Sequence, residues 1–131
     1  MSVELTILAI GCVFAVVQIF VAAEFEAGQR GFKWAVSSRE GDAPEWSPLV
    51  GRLKRAQANY LETFPVFVAA VLIVEVAGRT SGLTEAGAIV WLAARVAFWI
   101  VYAIGIPVLR SLLFAVSIGG IGMVLWPALF G

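Results

Sequence analysis

The chain has 131 residues, of which 61% are hydrophobic and 14% charged, and its nine basic and nine acidic side chains cancel. Soluble domains carry about one quarter charged residues, so this is the composition of a membrane protein, and zero net charge gives a nucleic-acid partner no electrostatic footing. With no histidine and one cysteine, Cys12, the chain has no disulfide, no thiolate-rich metal site, no histidine-ligated haem and no Ser-His or Cys-His catalytic pair.

Crossing a bilayer takes about 20 apolar residues in a helix, and four segments qualify. The first runs from Leu5 to Ala23 without a charge, and Cys12 within it reads as a small buried packing residue. Only Ser2, Val3 and Glu4 follow the initial methionine, so the basic n-region of a signal peptide is missing and a retained helix is expected. From Glu26 to Lys54 the chain is polar and carries Gly41, Pro44 and Pro48, too broken for a continuous helix. The second segment opens polar around Arg55 and is continuously apolar from Phe64 to Val74. A short turn at Gly78 to Gly82 leads to the third, Ala86 to Ile106, whose one charge is Arg95. After the bend at Gly105-Ile106-Pro107 the fourth spans Ser111 to Phe130. None alternates polar and apolar residues as a barrel strand does. The expectation is an all-α fold: one domain over 1–131, an integral membrane four-helix bundle with helices at about 4–25, 52–77, 85–106 and 108–130.

Charge orients the bundle. Arg30, Lys33, Arg39, Arg52, Lys54, Arg55 and Arg110 fall on one side and Arg79 alone on the other, which by the positive-inside rule puts the 26–54 loop in the cytoplasm and both termini outside. The arginine-over-lysine bias and compact loops point to a bacterial inner membrane. Trp34, Trp46, Trp91 and Trp126 lie near expected boundaries and read as interfacial anchors. Ser111, Ala115 and Gly119, spaced by four, read as a close-packing stripe.

Two polar faces carry the functional signal. On the second helix Arg52, Arg55, Asn59 and Glu62 fall within an arc of about 80°. A snorkelling helix end accounts for Arg52 and Lys54, whereas Asn59 and Glu62 sit deeper, where a carboxylate needs a cavity or a partner. On the third, Arg95, Trp99 and Tyr102 share a face with Phe98 at its edge. Arg95, near mid-membrane, requires an anionic or carbonyl partner, and Glu62 and Glu75 are the simplest candidates; a structural pair and a ligand contact are both open.

The stretch RLKRAQANYLETFPVF from Arg52 to Phe67, with Arg55, Gln57, Asn59, Glu62 and Pro65, resembles the second-helix signature of the MAPEG superfamily, the membrane-associated proteins of eicosanoid and glutathione metabolism. Gln29 to Lys33 resembles the family's basic segment after the first helix, and Ala94-Arg95 through Tyr102 and Pro107 to Arg110 resemble its third helix and following turn. The resemblance implies a homotrimer among membrane lipids, with glutathione as co-substrate between subunits near the cytoplasmic face, no metal, and a hydrophobic small-molecule substrate. It implies that Arg30 and Arg55 clamp glutathione carboxylates, that Asn59 and Glu62 hold its polar backbone and amino group with Gln57 nearby, that Tyr102 donates a hydrogen bond, and that Arg110 stabilises the thiolate. Phe98 and Thr63 depart from the pattern, standing where relatives have tyrosine. The implied activity is that of a glutathione transferase or peroxidase. A non-catalytic relative binding a lipid or other anionic amphiphile is the main alternative; a small multidrug transporter would need a coupling carboxylate that Leu5 to Ala23 lacks, and a structural subunit is the remaining one.

Overall fold

The computed structural model describes residues 1–31, 37 and 46–131. Within them the chain forms four helices, α1 (Val3–Arg30), α2 (Pro48–Val76), α3 (Gly82–Ile104) and α4 (Pro107–Phe130), each long and apolar enough to cross a membrane. The chain is a multi-pass membrane protein. The expected polar loop from Glu26 to Lys54 is shorter than the sequence suggests, because α1 continues to Arg30 and α2 starts at Pro48. Ser47 caps α2 through its hydroxyl, which accepts from Val50 N–H, and Pro48 fills the first turn, where its missing N–H costs nothing. Lys54 pairs with Glu26 at 3.1 Å, and Ser47 N–H donates to the Gln29 side chain at 2.9 Å, so the two polar ends brace each other. Lys33, Trp34, Arg39, Gly41 and Pro44 lie outside the described residues.

Helix ends elsewhere follow local chemistry. Ser81 and Thr84 form a capping box that starts α3 at Gly82, four residues before the apolar run. Gly105, at φ 93°, ends it in the left-handed region open to glycine. At the same end Arg52 Nε donates to Ala103 O at 2.9 Å, closing an orphan carbonyl of α3. At the far end Ser2 Oγ donates to the Glu75 carboxylate, Thr84 Oγ1 meets Glu4 Oε2 at 3.3 Å and Arg79 Nη1 donates to Pro127 O at 3.0 Å. The basic Arg30, Arg52, Lys54, Arg55 and Arg110 therefore sit at one end of the bundle and Arg79 at the other.

Packing chooses faces that hydropathy does not distinguish. Trp91 is 0% exposed and stacks on Phe67 with centroids 3.9 Å apart and planes 3° from parallel. It is a centre of the core, not an interfacial anchor. Trp126, at 56% exposure, does face outward. Tyr60 donates to Gly11 O at 2.6 Å and meets Phe14 edge-on, joining α2 to α1. Cys12, expected to be buried, is exposed on the outer face of α1; Gly11, beside it, supplies the close contact with Tyr60 instead. The tightest helix approach is also displaced from the expected stripe. Ser111, Ala115 and Gly119 are exposed, whereas a Cβ on Gly120 would lie 2.7 Å from Gly87 O and 2.8 Å from Trp91 N. Gly87 and Gly120 let the α3 and α4 backbones touch, the role small residues play between membrane helices.

Candidate functional site

At the basic end of the bundle, α2, α3 and α4 border an open cavity of about 290 Å³ lined by Asn59, Phe98, Tyr102, Arg110, Ser111 and Phe114. Its position follows from three local features. Asn59 occupies the fourth turn of α2. The αL cap at Gly105 turns the chain so sharply that Tyr102, in the last turn of α3, faces Arg110, in the first turn of α4. The Arg110 guanidinium carbon lies 4.6 Å from the Tyr102 ring centroid. Arg55 Nε donates to the Tyr102 hydroxyl at 3.2 Å. One phenol thus meets two permanently charged guanidiniums.

Behind the cavity wall is Arg95, 1% exposed. Its Nη2 donates to Asn59 Oδ1 at 2.7 Å, and its guanidinium carbon lies 4.4 Å from the Phe98 centroid and 5.9 Å from that of Phe114. Arg95 therefore has the carbonyl partner the sequence requires of it, in an amide rather than in Glu62 or Glu75. Glu62 is exposed, while Glu75 is bound to Ser2 and lies 16 residues beyond Asn59 on α2, roughly 24 Å at the helical rise. Among the described residues the Nε and Nη1 of Arg95 have no acceptor.

The expected site residues divide into groups. Asn59, Tyr102 and Arg110 line the cavity, and Arg55 reaches it through Tyr102. Glu62 shares their arc of α2 but stands exposed and outside the lining. Gln57 is on the opposite face of α2, in a second cleft of about 350 Å³ between α1 and α2 with Glu26 and Lys54. Arg30, at the end of α1, lies with its guanidinium carbon 5.6 Å from the Trp46 ring centroid. The two departures also find places. Phe98 offers its ring face to the buried Arg95, and the Thr63 hydroxyl lies 3.2 Å from both Asn59 O and Tyr60 O of its own helix, so its proton is engaged within α2, and Thr63 is not part of the cavity lining. Phe114 and Ser111 were not among the expected site residues; Phe114 lies four residues after Arg110, a spacing that places both on one helical face.

A polytopic four-helix membrane protein with a cationic, aromatic-walled cavity at its basic end is the class that fold and site define. The chain matches the MAPEG family over residues 7–130, nearly its full length, and belongs to that family. The family includes glutathione transferases and related proteins, some of them non-catalytic. No curated protein matches the chain at a significant level.

Proposed function

We infer that this protein is a membrane-bound, glutathione-dependent transferase or peroxidase that acts on hydrophobic electrophiles or lipid hydroperoxides. The observation that carries the reading is the cavity in which Asn59, Tyr102 and Arg110 converge at the basic end of the bundle. A free thiol has a pKa of about 8.5, and a fixed guanidinium beside the sulfur favours the thiolate. In the transferase reaction the thiolate sulfur forms a bond to an electrophilic carbon, and the displaced group or a proton balances the charge. In the peroxidase reaction two glutathiones give up two electrons and become a disulfide, while the hydroperoxide becomes an alcohol and water. Either electrophile reaches the site from the bilayer, into which it partitions.

A homotrimer completes the site. Gln57 and Arg30 lie away from the cavity in the single chain, so a neighbouring subunit supplies them across the interface, while Arg55, Asn59, Tyr102 and Arg110 come from the first. The charge asymmetry supports a cytoplasmic location for the basic end, with both termini outside, in a bacterial inner membrane. Titrating the purified protein with glutathione and following thiolate absorbance tests the reading; a trimer that forms no thiolate and conjugates no electrophile refutes it. A second reading, a non-catalytic protein binding a lipid or other anionic amphiphile, is favoured by Phe98 and Thr63, neither of which turns a hydroxyl to the cavity. Binding of an anionic amphiphile without glutathione turnover distinguishes it.

A further inference from the structure

A guanidinium has donors only, so the Asn59 amide atom that meets Arg95 Nη2 at 2.7 Å is the oxygen. The amide is then fixed in rotation, which leaves Nδ2 as the amide atom available to the cavity that Asn59 lines. Among the described residues Nδ2 has no acceptor. Two of the other three polar groups on the lining, Arg110 and Tyr102, have the same sense, and Ser111 is the exception, its oxygen being left as an acceptor. Arg110 is a donor and a cation. The Tyr102 oxygen already accepts from Arg55, which leaves its proton to donate. Ser111 turns its hydroxyl proton back to Pro107 O at 3.2 Å. Among the described residues the lining contains no carboxylate, and the buried charge of Arg95 stands against Asn59, Phe98 and Phe114. A buried guanidinium with two nitrogens unpartnered is costly unless an opposite charge lies near.

We propose that Arg95 is a positioning residue that locks the Asn59 amide donor-outward, so that this cavity accepts an anion and rejects an ammonium group. The anion preference stands on this geometry alone, while its application to glutathione rests on the reading above and narrows it: the part of that ligand seated against Asn59 is a thiolate or a carboxylate, and its ammonium group lies elsewhere.

The test is Asn59→Asp in the full-length protein in neutral maltoside micelles. Aspartate keeps the shape and an oxygen for Arg95 but turns an acceptor toward the cavity. The melting temperature and oligomer should match or exceed those of the parent, while affinity for an anion falls about tenfold or more, the scale of one charge-assisted hydrogen bond lost and a repulsion added. Glutathione sulfonate and S-methylglutathione separate the sources: loss for the sulfonate alone puts the sulfur anion against Asn59, and equal loss for both puts a carboxylate there. Octanesulfonate and octyltrimethylammonium read charge preference without glutathione. If the parent ignores both glutathione probes but prefers octanesulfonate, and Asn59→Asp abolishes that preference, the glutathione reading fails and this one stands. If Asn59→Asp binds every anionic probe as well as the parent, the inference is overturned while the glutathione reading survives. In Arg95→Met protein of parental oligomeric state the anion preference should also disappear; its full retention there removes Arg95 from the positioning role.

Discussion

Arg110→Ala is the change that most directly probes the proposed chemistry. The residue lines the cavity with Asn59 and lies 4.6 Å from the Tyr102 ring, so a sulfur held among these groups sits within about 4–6 Å of its guanidinium. An opposite charge at that range lowers a pKa by about 1–3 units. Taking the middle of that range, a thiol of pKa about 8.5 is brought to about 6.5, and roughly three quarters is thiolate at pH 7. Without the guanidinium the thiolate fraction returns to about 3%, a fall of roughly 25-fold. The sign follows from which form is favoured: the parent forms thiolate from lower pH upward, and the variant's titration and rate profile move to higher pH. Thiolate absorbance against pH, with the subunit mass in mild detergent and glutathione affinity as controls, reads both effects. Arg110→Lys should keep part of the shift, since the charge remains and the planar fork is lost. A folded Arg110→Ala trimer with unchanged thiolate formation refutes the assignment and leaves Arg110 as a snorkelling anchor at the start of α4.

Three other outcomes are expected. Gly120→Ala should destabilise the bundle by about 1–3 kcal/mol, because its Cβ meets the α3 backbone at 2.7 Å, whereas Gly119→Ala, with nothing within 4 Å, should leave subunit unfolding within about 0.5 kcal/mol of the parent; thermal melts in detergent compare them. Asn59→Leu should weaken glutathione binding by about 1–3 kcal/mol while the oligomer persists, and parental affinity in both Asn59→Leu and Glu62→Gln would make these residues structural. In a Cys12→Ser background, a cysteine at Ser37 should react with an impermeant maleimide only from the cytoplasmic side and one at Arg79 only from outside; the reverse labelling inverts the topology.

The number of helices, their membrane-crossing length and the concentration of basic side chains at one end are all legible in the sequence. Each depends on summed transfer preferences along a short stretch, and such sums need no tertiary information. The second-helix run from Arg55 to Glu62 was legible for a related reason, since polar side chains inside an apolar span stand out. Helix rotation was not legible. In a bilayer the outer surface is as apolar as the core, so hydropathy alone does not choose the face that packs inward. That is why Trp91 proved central, Cys12 outward, and Gly87 with Gly120, instead of the Ser111–Ala115–Gly119 stripe, the place where backbones meet. The pairing of Arg95 with Asn59 and the separation of Gln57 from Asn59 onto opposite faces of α2 came from tertiary structure alone, because both depend on which neighbouring helix each side of α2 meets.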